Sequence, residues 1–136
     1  MANYVEHVNI TVNDLDQTIE FLTTALPDFK VRHREEEQDR VWAHVGTDDT
    51  YIALTSWHQP SADARHGLNH IGLVVDDIHG IQHRLQNAGY PKGFGNSEIF
   101  EHPHRLRLYY LDRDHNEYEF VQYLSDKPEE RNSYTG

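Results

Sequence analysis

Two short stretches of this chain place a histidine in the same setting. Residues 6–14 read EHVNITVND and residues 69–77 read NHIGLVVDD, so each copy has a histidine near the start of an alternating segment and an aspartate at its end. His7 and His70 are 63 positions apart, and the match continues without a gap as far as Ala88. Incidental surface histidines are not expected to recur at the same place in two copies. The pattern therefore indicates a duplicated fold in which His7 and His70 face each other across a cleft, where they could bind a metal ion.

The elements that position His7 form the first copy. Residues 5–12 alternate between polar and apolar side chains, which predicts a strand, and residues 14–26 carry apolar side chains at helical spacing. Asp14 is expected to cap this helix, with Gln17 three positions later. The charged stretch 34–40 is expected to be a solvent-exposed hairpin tip. Three further strands are predicted at 29–34, 41–45 and 51–56.

The second copy repeats the same order. A strand begins at His70, a helix is capped by Asp76 or Asp77, and Gly89 ends that helix. Three strands are again predicted, at 97–100, 105–111 and 117–124. One helix followed by three strands with short turns favours an α+β fold, with two βαβββ modules forming curled mixed sheets around a cleft.

The domain organisation follows from this repeat. We expect a single domain, 1–136, in which repeat 1 covers 4–56 and repeat 2 covers 69–124. Residues 57–68 have no periodicity and are expected to be a linker, and residues 125–136 form a polar C-terminal tail.

Composition narrows the class of partner. There are 23 Asp and Glu against 12 Lys and Arg, a net charge of −11, which disfavours nucleic acid and anionic membranes as partners. The charge says little about a small-molecule substrate. The absence of cysteine excludes disulfides, thiolate metal sites and a cysteine nucleophile. No signal peptide is expected and no apolar stretch is long enough to span a bilayer. These features fit a cytoplasmic protein.

The last predicted turn and strand carry the most specific motif. Residues 112–119 read DRDHNEYE, and together with the paired histidines and the repeated strand-helix-strands order they resemble the vicinal oxygen chelate superfamily. The resemblance covers residues 4–124. That superfamily includes glyoxalase I, extradiol dioxygenases, fosfomycin-resistance transferases and bleomycin-resistance proteins. Arg113 and His115 replace the proline and glycine that are usual in this turn. The resemblance implies that His7, His70 and Glu119 are metal ligands, and that the chain forms a homodimer.

The resemblance also exposes a missing ligand. Glyoxalase I has a second glutamate late in its first module, and aligning the last strands of the two modules puts Ile52 at that place. Two histidines and one carboxylate, with open coordination positions, suit one divalent ion of Fe, Mn, Zn or Ni. Three protein ligands favour a dioxygenase-like activity over a glyoxalase-type reaction.

Further candidates share the predicted cleft face. Strand parity places Arg105, Arg107 and Tyr109 beside Glu119, where the arginines could bind an anionic or phenolic group of the substrate. The alternative is a strand edge made soluble by arginine. In the first module the corresponding residues are Trp42 and His44. We interpret Trp42 as substrate-binding, and His44 and Tyr109 as candidate catalytic residues. His44 is a candidate acid or base because an unperturbed histidine titrates near ~6.5. For His44 the alternative is a hydrogen-bonded structural histidine.

Three functional hypotheses remain open from the sequence. The first is a divalent-metal-dependent enzyme that acts on a small oxygen-rich molecule, with a dioxygenase-like activity. The second is a glyoxalase-type lyase or isomerase. The third is a metal-free binding protein of the bleomycin-resistance type. Two other histidine pairs, His79 with His83 and His102 with His104, are expected to be an exposed helix face and a loop.

Overall fold

The computed structural model describes residues 3–59 and 67–136. A short 3-10 turn occupies Phe94–Ser97, and the strand-helix-three-strand order occurs twice. Parallel and antiparallel pairs both occur, so the predicted α+β class with mixed sheets is confirmed. The elements of the described residues are β1 (Tyr4–Thr11), α1 (Leu15–Ala25), β2 (Lys30–Glu36), β3 (Arg40–Gly46), β4 (Tyr51–Trp57), β5 (Gly67–Val74), α2 (Ile78–Asn87), β6 (Phe100–His102), β7 (Arg105–Leu111), β8 (Glu117–Tyr123) and α3 (Pro128–Arg131).

The chain divides into two compact units. The first unit is His7–Asn69, and the second comprises the residues before His7 together with His70–Gly136. In the first unit, β1 pairs in parallel with β4, and β3 is antiparallel to both β2 and β4. In the second unit, β5 pairs in parallel with β8, and β7 is antiparallel to both β6 and β8. Each unit therefore builds its strands with the same pattern of pairing.

Helix α1 covers one face of the first unit's sheet. It begins where the sequence predicted, because the Asp14 side chain accepts a hydrogen bond of 3.1 Å from the Gln17 backbone N–H. Alternation along β3 and β4 then leaves Trp42, His44 and Tyr51 on the opposite face of the sheet. The buried residues that pack on the helix side are Leu15, Leu22, Ala43, Val45 and Leu54.

Helix α2 has the same role in the second unit. Asp77 is its N-cap and accepts a hydrogen bond of 3.1 Å from the Gly80 N–H, and Gly89 follows the helix with a φ of 73°. The core beneath α2 contains the buried residues Val75, Ile78, Leu108 and Tyr110. The opposite face of β7 and β8 carries Arg105, Arg107, Tyr109, Glu119 and Tyr123, and we call it the Glu119 face.

One predicted strand is wrong. The sequence favoured a strand at 97–100, but Ser97 ends the 3-10 turn and β6 begins only at Phe100. The physical reason is backbone conformation, because Gly95, Asn96 and Ser97 all have φ between 55° and 67°. Strand residues do not adopt this left-handed region.

Several boundaries also differ from the prediction. The charged stretch 34–40 forms the end of the β2–β3 hairpin, as expected, but its strands extend further, since β2 continues to Glu36 and β3 begins at Arg40. The predicted linker, 57–68, begins with the last residue of β4 and ends inside β5, and its residues 60–66 lie outside the described part of the chain. The tail contains the short helix α3. Among the described residues, none of the helices has the length and apolar character needed to cross a membrane.

Candidate metal and substrate site

A buried histidine–carboxylate pair lies on β5 and β8. His70 Nε2 is 3.2 Å from Glu119 Oε1, and the two residues are 8% and 5% exposed. The parallel register pairs Gly72 with Glu119, so the residue directly beside Glu119 on β5 has no side chain. His70 lies two residues before Gly72 on the same face of β5, which lets the imidazole and the carboxylate meet. A buried ionisable pair of this kind is stable only where neighbouring groups compensate its charges and satisfy its hydrogen-bonding atoms.

Arg107 and Tyr109 complete this arrangement, as strand parity predicted. Tyr109 is directly opposite Glu119 in the β7–β8 register. Arg107 Nη1 is 3.7 Å from Glu119 Oε2 and donates a hydrogen bond of 3.3 Å to the Tyr109 hydroxyl oxygen. Burial raises the pKa of Tyr109 above its ordinary range, and the negative charge of Glu119 and a hydrogen bond to it add to the effect. Tyr109 is therefore a neutral donor beside the carboxylate.

Arg105 shares the Glu119 face but has a different partner. It is opposite Tyr123, four residue pairs along the β7–β8 ladder from the Tyr109–Glu119 pair. Its guanidinium group donates a hydrogen bond of 2.8 Å from Nη1 to the Ser133 carbonyl oxygen in the tail. Arg105 is thus bound to the tail and does not belong to the group formed by Arg107, Tyr109 and Glu119.

In the first unit, His7 and His44 both stack on Tyr51. The His7 ring lies 4.7 Å from the Tyr51 ring at an angle of 12°, and the His44 ring lies 4.3 Å away at 23°. The Trp42 ring lies next to this group of rings, 5.1 Å from the His44 ring. The Arg32 guanidinium carbon lies 4.2 Å from the centre of the Tyr51 ring. Tyr51 therefore fixes both candidate histidines of this unit, a role that the sequence gave no reason to assign.

The strand registers of the two units correct the position at which the sequence alignment placed the missing fourth ligand. His70 pairs with Glu117 and Gly72 with Glu119 in the second unit. In the first unit the equivalent residue to Glu119 is the one opposite Asn9, which is Ala53 and not Ile52. Ile52 points to the opposite face, where it packs against the α1 core. No carboxylate stands at the corrected position either, so the inferred asymmetry remains.

The same comparison supports the correspondence between the modules. His44 is opposite Ala53 just as Tyr109 is opposite Glu119. Trp42, two residues before His44, is therefore the counterpart of Arg107. The two units place chemically active side chains at matching points of β3 and β7, but they use different residue types there.

The other two histidine pairs lie on a helix and at a turn. His79 and His83 are exposed on α2, and Asn87 Nδ2 lies 3.0 Å from His83 Nε2. His102, expected in a loop, is the last residue of β6, and His104 lies in the turn before β7. His102 Nε2 lies 2.7 Å from a tail carbonyl oxygen, that of Thr135. Neither pair belongs to a group of three candidate ligands among the described residues.

The turn before β8 explains the unusual residues of the motif. Asp112 accepts hydrogen bonds from the backbone of Asp114 and Asn116, at 2.9 and 3.0 Å. His115 has a φ of 68°, a conformation that glycine adopts more readily. The Arg113 guanidinium group donates a hydrogen bond of 3.2 Å to the carbonyl oxygen of Ala88, the C-cap residue of α2. These contacts hold the turn although it lacks the proline and glycine that are usual in the family motif.

Comparison with known proteins places the chain in a family. A family model described as the glyoxalase/bleomycin resistance protein/dioxygenase superfamily matches residues 4–120. No curated protein matches the chain. Because the family match spans most of its length, the chain belongs to this superfamily, as the resemblance implied.

Solved structures share the fold at low sequence identity. A hypothetical protein from Bacillus halodurans is 16% identical, with a TM-score of 0.71 over 93% of this chain and 99% of that one. A variant of Streptomyces coelicolor methylmalonyl-CoA epimerase, in complex with 2-nitronate-propionyl-CoA, is 20% identical, with a TM-score of 0.66 over 89% and 97%. A variant of 4-hydroxymandelate synthase from the same organism is 18% identical, with a TM-score of 0.70 over 92% of this chain and 50% of that one. At these identities the likeness establishes the fold.

Proposed function

We propose that this protein is a divalent-metal-dependent enzyme that acts on a small oxygen-rich molecule. The observation that carries the proposal is the buried pair formed by His70 and Glu119, whose nearest atoms are 3.2 Å apart. Two ligands that each lie about 2.1 Å from one ion, at bond angles of about 90–110°, are separated by about 3.0–3.4 Å. The spacing of the pair therefore fits two adjacent ligands of a single ion.

His7 is proposed as the third ligand. It occupies the same position in β1 as His70 does in β5, and the duplicated sequence gives both histidines the same surroundings. His7, His70 and Glu119 are all buried, and each offers one ligand atom. Two imidazoles and one carboxylate suit Fe, Mn, Zn or Ni. A bound ion of this kind supplies a Lewis acid, or the redox centre of an oxygenase.

The protein's own residues would bind and orient the substrate. The Arg107 guanidinium group, half-exposed beside Glu119, can bind an anionic oxygen. Tyr109 stays protonated because its pKa is raised, so its hydroxyl hydrogen is directed to Glu119 and its hydroxyl oxygen can accept a hydrogen bond from the substrate. We propose His44 as the group that accepts or returns a proton, and Trp42 as part of the substrate-binding surface.

A dioxygenase-like activity is the form of this proposal that we favour. Ala53 stands where a fourth, carboxylate ligand would be needed for the glyoxalase pattern. A three-ligand set leaves more coordination positions open for two substrate oxygens and for molecular oxygen. A metal-free binding protein is disfavoured, because it has no need to bury a histidine against a glutamate.

Equilibrium metal binding tests the proposal. The wild-type protein, stripped of metal, is titrated with Fe(II), Mn(II), Zn(II) and Ni(II) beside the His7→Ala and His70→Ala variants. Replacing a ligand should lower the affinity more than about 100-fold, because even residues behind the ligands contribute 10–100-fold. His83→Ala is the matched control, since this exposed histidine lies on α2. Equal affinity in all four proteins would contradict the proposal.

Turnover assays separate the reaction classes. Oxygen consumption is measured with a panel of catechols on the Fe(II)-loaded protein, and hemithioacetal conversion with methylglyoxal and glutathione. The favoured form predicts oxygen consumption that His70→Ala abolishes and His83→Ala retains. Hemithioacetal turnover without oxygen consumption would instead establish the glyoxalase-type reaction.

A further inference from the structure

The loop before β6 has an unusual backbone. Gly95, Asn96 and Ser97 are three consecutive residues with positive φ, at 67°, 57° and 55°. Only glycine adopts this conformation without steric cost, so Asn96 and Ser97 are held there by the surrounding structure. Backbone strain of this kind persists only where several contacts determine it.

Several hydrogen bonds hold this loop. The buried Ser97 hydroxyl group donates to the Tyr109 carbonyl oxygen at 2.5 Å and accepts from the Gly93 N–H at 2.9 Å. The Phe94 N–H donates to Glu117 Oε2 at 2.9 Å. The loop is thus fixed to both strands that carry the candidate site, β7 and β8.

The fixed loop presents an aromatic ring that is largely exposed. Phe94 is 61% exposed, its ring lies 5.6 Å from the Phe100 ring, and it meets the Tyr109 ring edge-on at 5.3 Å. A Cβ atom on Gly95 would lie 2.4 Å from the Phe100 ring, so this position requires glycine. The strained backbone and the glycine together let Phe94 stack on Phe100.

These rings lie on the Glu119 face. Phe100 is opposite Arg107 in the β6–β7 register, and the Arg107 guanidinium carbon lies 5.4 Å from the centre of the Phe100 ring. Tyr109 touches the Phe94 ring on one side and meets the His70 ring edge-on at 5.7 Å on another. An apolar aromatic surface is therefore continuous with the proposed ligands His70 and Glu119.

We propose that Phe94, supported by Phe100, determines specificity by binding a planar ring of the substrate. This inference rests on the proposed function, since the oxygen atoms of that ring would be directed to the ion and to Arg107. An exposed phenylalanine ring gains most from stacking or edge-on contact with another aromatic ring. The substrate class is thus an aromatic compound with adjacent oxygen substituents, and an acyl thioester with an aliphatic chain fits less well.

Two hydroxamates provide the test. Acetohydroxamate and benzohydroxamate chelate a metal through the same two oxygens and differ in a methyl against a phenyl group. Both are titrated into the Co(II)-loaded protein, with the visible absorption of cobalt as the signal. We expect benzohydroxamate to bind more tightly, Phe94→Ala to weaken it about 10-fold, and acetohydroxamate to be unaffected. Phe21→Ala is the matched control, because Phe21 is 70% exposed on α1.

A metal-free measurement separates this inference from the proposed function. Benzoate and acetate are compared by ligand-observed NMR on protein stripped of metal, where Arg107 and the aromatic rings remain. Benzoate binding that Phe94→Ala removes and Phe21→Ala retains supports the inference. If cobalt does not bind in that case, the proposed function fails but the inference about Phe94 does not. If cobalt binds and Phe94→Ala changes neither the hydroxamate ratio nor benzoate binding, Phe94 has no such role.

Discussion

Tyr109 lies directly opposite Glu119 across β7 and β8, and its hydroxyl group donates a hydrogen bond to the carboxylate. The equivalent pair in the first unit is His44 and Ala53. Both units thus place an ionisable side chain at the same point of β3 or β7, but only the second has a carboxylate opposite it. This asymmetry gives the proposed site three protein ligands.

Ala53→Glu should supply the missing ligand. Ala53 is 3% exposed, so a carboxylate there is desolvated and should lower the free energy of unfolding of the metal-free protein by about 3 kcal/mol or more. A bound divalent ion should recover much of this loss. Thermal unfolding with and without metal measures it, and the shift caused by metal should be larger than in the wild type.

Ile52→Glu is the control for that experiment. Its side chain would enter the core against α1, on the opposite face of β4, so metal should not rescue its stability. If metal restored Ile52→Glu and Ala53→Glu equally, the correspondence between Ala53 and Glu119 would be wrong.

Much of the fold could be predicted because local signals agree with the packing. The alternation of the strands, the apolar spacing of the helices and the caps Asp14 and Asp77 all point to the same elements, and both caps make the expected hydrogen bond of 3.1 Å. On the Glu119 face, parity placed Arg107 and Tyr109 correctly, since β7 has no bulge.

The errors have a common physical origin. The sequence placed the counterpart of Glu119 at Ile52, one residue from its position in the structure. A shift of one residue moves a strand side chain to the other face of the sheet. Register depends on pairing between distant segments, which a single strand's sequence does not encode. Phe94 was missed because a glycine-rich loop has no periodicity, and its role depends on Phe100 and Tyr109, which are distant in the sequence. The hydrogen bond from Arg105 to the Ser133 carbonyl oxygen was likewise not foreseen, because the two residues are 28 positions apart in the sequence.

His115→Gly should stabilise the protein. His115 has a φ of 68°, and glycine removes the steric cost of this conformation, about 1–2 kcal/mol, at a smaller cost in chain entropy. We expect a net gain of about 0.5–1 kcal/mol in the free energy of unfolding, measured by urea denaturation. Asp114→Gly is the control, because Asp114 lies in the same turn without positive φ, and it should not stabilise. A loss of stability in His115→Gly would show that the imidazole has a structural contact.

Asp112 should make stability depend on pH in the acid range. Hydrogen bonds from the Asn116 backbone and side chain lower the pKa of this carboxyl group below its usual 3.8, and the Tyr118 hydroxyl group adds to the effect. The pKa of Asp112 is lower in the folded than in the unfolded state. The contribution of its carboxylate to stability is therefore present above the unfolded-state pKa and is lost as the pH falls through the folded-state pKa. Wild type should therefore exceed Asp112→Asn in stability at pH 7, and the difference should shrink below about pH 4. Urea denaturation at pH 7 and pH 3 measures it, and an unchanged difference would contradict the assignment.

The C-terminal tail borders the Glu119 face. Arg105 binds the Ser133 carbonyl oxygen, and the Arg131 guanidinium carbon lies 4.4 Å from the centre of the Tyr123 ring. Arg131 Nη2 also donates a hydrogen bond of 2.9 Å to the Tyr4 hydroxyl oxygen. Tyr123 in turn donates a short hydrogen bond to the buried Glu6. The tail is therefore bound to β1, β7 and β8 within the second unit.

Arg131→Ala should release this tail. The variant loses a hydrogen bond to Tyr4 and a cation–π contact with Tyr123, which together should reduce the free energy of unfolding by about 1–3 kcal/mol. Lys127→Ala, at an exposed position just before α3, is the control and should have little effect. Amide hydrogen exchange in residues 128–135 should become faster in Arg131→Ala alone. If exchange there were as slow as in the wild type, the tail would be held by Arg105 and His102 without a need for Arg131.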